Sequence, residues 1–154
     1  WYMGFFNIPW LSDWVVQRQD YAFIRKLWRD WSPGWQPEPG VLDSVIQTLS
    51  QPGVRSAALG YYRAALSIKA LLVSAEEAHY LVPVPTLALS GERDGCIASE
   101  VFEQLMVAQD FPKGLTFSRI AEAGHFLHQE QPGQVNRKIV EWLKLNDDRL
   151  ATKQ

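Results

Sequence analysis

Asp94, in Gly91-Glu92-Arg93-Asp94-Gly95, and His125, in Glu122-Ala123-Gly124-His125, have the types and settings that general acid–base chemistry needs. A carboxylate can orient an imidazole and fix its tautomer, and the imidazole then acts as general base. In that arrangement Asp94 holds the ring and His125 moves the proton. Position alone fits a plainer pair equally well, with Asp94 capping a turn and His125 an ordinary loop residue. Glu92 and Arg93 suit surface ion pairs, which are worth little, and Asp94 is preferred to Glu92 as the partner of the imidazole. His128 would make a metal pair with His125 on one helix face, but no third ligand stands at a suitable spacing. His79 is assigned no role. A nucleophile is missing. The elbow pattern G-x-nucleophile-x-G is met only by Gly91 to Gly95, with Arg93 at its centre and Asp94 one step out of register. Cys96 lacks flanking glycine geometry and reads as a small buried hydrophobe.

Positioning these groups falls to the second half of the chain. Val84-Pro85-Thr86-Leu87-Ala88-Leu89-Ser90-Gly91 is a short apolar run ending on small residues, as in a buried parallel strand. A helix is expected over 98–109, a second strand over Gly114 to Ile120, and a final helix from about Gly133 to Leu145. Val135, Ile139, Trp142 and Leu143 of that last helix are expected to face inward, and the tail from Asn146 is polar. Strand, helix, strand, helix is α/β organisation with right-handed crossovers. In open α/β sheets ligands bind beyond the C-terminal strand ends, where both the Asp94 and His125 loops lie. Two parallel strands make a poor sheet by themselves, which implies further sequence upstream.

Before residue 81 the grammar is helical. Trp14, Tyr21, Ile24, Leu27, Trp28 and Trp31 recur at three- and four-residue spacings and predict one helix over 14–31 with an aromatic face. Ser32-Pro33-Gly34 stops it, and Gln36-Pro37-Glu38-Pro39-Gly40 makes a stiff connection. Val41, Val45, Ile46 and Leu49 predict a second helix. Residues 54–72 predict a third, with Leu59, Tyr62, Leu66 and Leu71 near one side, and Ser74 to Ala78 a helical turn leading to Tyr80. The expected organisation is therefore a helical region over 1–81, a partial α/β core over 82–146, and a polar tail over 147–154.

The 154 residues suffice for one hydrophobic core, and 47% apolar with 21% charged residues is ordinary for a globular chain. The net charge of −2, without a basic stripe or a Gly-rich phosphate loop, argues against nucleic acid and nucleotide partners. A single cysteine makes no internal disulfide, and no apolar run is long enough to span a membrane. With no secretory signal visible, the expected location is cytoplasmic. Seven tryptophans are present, most of them at or before Trp35. The chain opens on Trp1-Tyr2, an apolar start suggesting that it begins inside a larger protein.

The stretches VPVPTLALSGERDGCI and EAGHFLHQEQPGQVNRKIVEWL closely resemble the epoxide hydrolase and haloalkane dehalogenase-like branch of the α/β-hydrolase family. They look like the penultimate core strand with its acid loop, and the histidine loop with the closing helix. The separation of Asp94 and His125, 31 residues, suits that family. WYMGFFNIPW resembles the first cap segment of epoxide hydrolases, and LGYYRAAL resembles the cap motif in which a tyrosine precedes an arginine. The family's tyrosine-arginine-asparagine is here Tyr62-Arg63-Ala64. The fold implied is the C-terminal portion of an α/β-hydrolase, with a mostly helical cap and without the nucleophile, which in this fold precedes the acid and the histidine.

The resemblance implies Tyr2 and Tyr62 as the phenols that hydrogen-bond an epoxide oxygen, with Phe5 and Tyr61 as pocket residues. It implies a two-step reaction in which an upstream aspartate opens a hydrophobic epoxide, and His125, oriented by Asp94, activates water to release a diol. No cofactor or metal is implied. Three alternatives stay open: an ester hydrolase with an upstream serine using the same Asp94 and His125; haloalkane dehalogenation, which does not need the tyrosine pair; and an inactive fragment with a structural or interaction role, covered by an oligomeric partner or a missing segment.

Overall fold

The computed structural model describes residues 2–65 and 81–151, in two units, 2–28 with 37–65 and 29–36 with 81–151. Leu66, Leu71, the turn at Ser74 to Ala78, His79 and Tyr80 lie outside the described residues. So do Trp1 and the end of the expected tail.

The first unit holds α1 (Tyr2–Phe6), most of α2 (Leu11–Trp31), α3 (Val41–Leu49) and α4 (Val54–Ala65). Phe6, Val16, Tyr21, Leu27, Ile46 and Leu59 are buried in it. The single helix expected over 14–31 is broken. Arg18 has ψ 151°, and Gln19, Asp20 and Tyr21 are left-handed with φ of 52°, 52° and 56°. L-residues reach that region at a cost of about 1–2 kcal/mol each, and neither proline nor glycine marks the place. The break is braced by its contacts. Arg25 bonds the Asp20 carboxylate at 2.9 Å and Asp43 at 3.2 Å, while buried Tyr21 accepts a hydrogen bond from Arg55 at 3.2 Å. The break also corrects the aromatic face. Before it, Ser12 and Val16 point inward at helical spacing, which leaves Trp14 54% exposed under the Arg18 guanidinium, 4.1 Å from its ring.

The second unit carries parallel strands β1 (Thr86–Gly91) and β2 (Leu115–Ile120), in register from Thr86↔Leu115 to Gly91↔Ile120. The crossover between them is α5 (Ser99–Leu105) followed by a single 3-10 turn, Ala108–Asp110. The expected helix over 98–109 therefore ends early, where Met106 takes φ −83°, ψ 78°. After β2 come α6 (Leu127–Glu130) and α7 (Pro132–Ala151), the last starting on a proline, which needs no N–H there. Its helical hydrogen bonding continues past Leu145 to Ala151.

Ile120, Ala123 and Val135 form the core of this unit, with Leu89 and Leu127 against them. Of the residues expected inward on α7, Val135 is buried and Trp142 half-buried, but Ile139 and Leu143 are exposed. Two strands present too narrow a surface to cover that helix face, and a groove of about 200 Å³ runs along Leu87, Thr116, Trp142 and Leu145. Among the described residues each strand has one strand neighbour, so the sheet is open at both edges. No helix of the described residues is long and apolar enough to cross a membrane.

Candidate functional site

The parallel register sets the C-terminal ends of β1 and β2 side by side, so the loops that leave them start as neighbours. Glu92 N–H donates to Ile120 O at 3.1 Å and Arg93 N–H to Ala123 O at 2.8 Å, which extends the ladder into both loops. Buried serines pin the root of the first loop: Ser99 Oγ donates to Gly91 O at 2.7 Å and lies 2.8 Å from Ser90 Oγ. At the tip, Asp94 Oδ1 accepts from Cys96 N–H at 2.7 Å and Ile97 N–H at 3.0 Å, a local turn that short acidic side chains favour. Its other oxygen, Oδ2, lies 3.0 Å from His125 Nδ1. A carboxylate only accepts, so Nδ1 carries the proton and Nε2 is left as the basic nitrogen.

The Asp94 side chain is 9% exposed and that of His125 33%. Burial alone would push the Asp94 carboxyl up. The bonds from His125 and from the Ile97 and Cys96 amides outweigh it and hold the group below the ordinary carboxylate range. Asp94 is thus an anion held to orient and stabilise the imidazole. The His125 ring packs edge-on to Trp31, at 5.0 Å between centroids, and to Phe126 at 5.4 Å.

Glu92 is exposed, and Arg93 pairs with Glu122 across the surface with both side chains more than half exposed. His128 is exposed on α6, which begins after His125, so the two histidines do not share a helix face. Among the described residues Asp94, Cys96 and His125 could offer a metal one atom each, all within 4.8 Å of one another. Asp94 Oδ1 accepts two hydrogen bonds and Oδ2 accepts one, the last from His125.

In the first unit the Tyr2 and Tyr62 rings meet edge to face at 6.0 Å, with Phe6 against both. Arg63 anchors α4 beneath them. It donates to Phe6 O at 3.0 Å, to Ser12 Oγ at 2.9 Å and to the Asp13 carboxylate at 2.5 Å. Asn7 ties Met3 O to Tyr62 O. Phe5 is half-buried against Phe23, whereas Tyr61 is 74% exposed. An open groove of about 350 Å³ lies along Val15, Arg18, Phe23 and Lys26 in this unit.

No family model matches the chain. It is 32% identical to human epoxide hydrolase 4 over 148 residues, which is 93% of this chain and 39% of that protein. The chain belongs to the epoxide-hydrolase-like branch of the α/β-hydrolase superfamily. Its fold matches the Cif epoxide hydrolase of Acinetobacter nosocomialis with a TM-score of 0.68, at 16% identity, over 93% of this chain and 44% of that one. A thermophilic esterase from Thermogutta terrifontis is 30% identical with a TM-score of 0.58, over 86% of this chain and 47% of that one. The chain thus spans about two fifths of the length of the epoxide hydrolase it matches.

Trp31, Ser32 and Glu130 were not marked by the sequence as site residues, yet all three meet the histidine loop. Trp31 O accepts from His125 N–H at 3.1 Å and from Gly95 N–H at 3.0 Å, bridging the base loop and the acid loop. Ser32-Pro33-Gly34 read only as the end of a helix, and no spacing signal singles out Glu130.

Proposed function

We propose that the chain supplies the acid–histidine pair and the tyrosine-bearing cap of an epoxide hydrolase whose nucleophile lies in polypeptide outside these 154 residues. The observation that carries this reading is the 3.0 Å hydrogen bond between His125 Nδ1 and Asp94 Oδ2 at the ends of adjacent parallel strands. A carboxylate nucleophile attacks an epoxide carbon, the carbon–oxygen bond breaks, and Tyr2 and Tyr62 hydrogen-bond the departing oxygen, which takes the phenolic proton of one of them. His125 Nε2 then removes a proton from water. The water oxygen adds to the ester carbonyl, and collapse breaks the acyl carbon–oxygen bond; the expelled alkoxide takes the proton from His125 to complete the diol, and the new carboxyl gives its proton back to the phenolate, which regenerates the carboxylate. The aromatic, apolar first unit suits a hydrophobic epoxide. No cofactor enters this scheme.

The test uses the whole native protein that carries these residues and a styrene-type epoxide. The intact protein forms diol. His125→Gln stalls after the first step, and its mass rises by that of one epoxide. Full turnover in His125→Gln would refute the reading. A second reading, ester hydrolysis from an upstream serine with the same Asp94 and His125, is favoured by the likeness to the Thermogutta esterase. Turnover of an aryl ester with no opening of the epoxide selects it.

A further inference from the structure

We propose that Glu130 is a positioning residue for His125, a carboxylate that clamps the backbone on both sides of the base. Its Oε2 accepts from Gly124 N–H at 2.7 Å, the residue before His125, and its Oε1 from Phe126 N–H at 2.9 Å, the residue after. The Ser32 hydroxyl, fully buried, donates to the same Oε1 at 2.7 Å, and Ser32 Oγ lies 3.3 Å from Phe126 N. The His125 N–H itself goes to Trp31 O. Three successive amides are therefore each held, two by one ionised side chain and one by the segment carrying Ser32.

Charge-assisted bonds of this kind are about twice as strong as neutral ones. They act here on the peptide planes that set the Cα–Cβ direction of His125. The clamp is local in sequence: α6 returns Glu130 to its own loop, so the loop and its restraint form one unit. The seat is also tight. A Cβ on Gly124 would lie 2.6 Å from Ser32 Cα, so the clamp and the close approach require the same Ser32 position. Asp94 fixes the ring through Nδ1 while Glu130 fixes the backbone beneath it. Neither Glu130 nor Ser32 is assigned contact with substrate.

A glutamine at 130 keeps one acceptor oxygen but turns an NH2 toward a backbone N–H, which undoes half of the clamp at nearly constant volume. This inference rests on His125 as the base, and its test has one readout that needs no substrate. In the whole protein the His125 Nδ1 proton is followed by NMR in wild type, Glu130→Gln and Ser32→Ala, alongside thermal melts. Glu130→Gln is expected to keep its fold and to broaden or shift that resonance, with Ser32→Ala giving a smaller change in the same direction. Under the epoxide reading, pre-steady-state kinetics then show ester hydrolysis slowed by about 10- to 100-fold with ester formation unchanged. If the protein proves to be a serine esterase, both steps slow and the NMR change stands. A Glu130→Gln protein with an unchanged resonance overturns the inference. So does one that loses its fold, since Glu130 would then be a general structural group.

Discussion

Gly124→Ala reads the packing of the histidine loop in a single atom. The new Cβ would lie 2.6 Å from Ser32 Cα, 2.7 Å from Ser32 Oγ and 2.9 Å from Ser32 Cβ, where ordinary contact begins at 3.4 Å. One side has to retreat by about 0.8 Å, and the nearest atom, Ser32 Cα, is backbone that no side-chain rotation can move aside. Overpacking of this order costs roughly 1–3 kcal/mol. The same movement stretches the 2.7 Å bond from Gly124 N–H to Glu130, and hydrogen bonds to charged groups contribute about 1.5–3 kcal/mol. Because one displacement relieves the clash by weakening the bond, the two costs overlap, and about 2–4 kcal/mol is expected. At roughly 3 °C per kcal/mol for a chain of this length, the melting temperature falls by about 6–12 °C. The assay is a thermal melt with hydrogen exchange at the Gly95 and His125 amides, both of which donate to Trp31 O. Gly60→Ala is the control. Gly60 lies inside α4 with nothing within 4 Å of an added Cβ, so alanine there stabilises by about 0.5–1 kcal/mol. A Gly124→Ala protein that melts with the wild type and protects both amides equally would refute the reasoning.

Arg63→Ala removes the donor shared by Phe6 O, Ser12 and Asp13, a pair about one-fifth to one-quarter exposed. A loss of roughly 1–3 kcal/mol is expected in denaturant titration, and Arg63→Lys should recover only part of it because it lacks the fork. Asp94 sets the acid response. Its folded pKa lies below the unfolded value of about 3.9, so its stabilisation is full above about pH 5 and is lost as pH falls through the folded value. Melting temperature against pH should therefore drop more steeply below pH ~4 in wild type than in Asp94→Asn; parallel curves would contradict the depressed carboxyl. The 154 residues produced alone are expected neither to hydrolyse epoxides nor to form an adduct at Asp94, checked by product analysis and intact mass. Turnover that disappears in His125→Ala would sink that expectation.

Loop chemistry was legible in sequence because it is local. Apolar runs ending on Ser90-Gly91 and Arg119-Ile120 mark strands, and residues just beyond strand ends must gather at one sheet edge once the strands pair in parallel. The placement of Asp94 and His125 at one sheet edge follows from that rule, and the helical character of α3 and α4 was legible separately, in apolar spacing that needs no tertiary partner to be recognised. The family likeness, too, was carried by these short stretches.

What sequence could not carry was everything decided by the far side of a contact. Periodicity predicts an unbroken helix over 14–31, but three successive residues within it are left-handed, with Tyr21 buried and Asp20 paired with Arg25 at the break. Ile139 and Leu143 have the spacing of an inward face, yet inwardness requires a surface to meet, and two strands supply only enough for Val135 and part of Trp142. Ser32 and Glu130, separated by 98 residues, become bonding partners only because the segment after α2 folds against the histidine loop. Residue type and spacing thus determined which side chains could move a proton; the tertiary structure decided which groups hold them still, because hydrogen bonds and close approaches are set by distances in space that sequence separation does not encode.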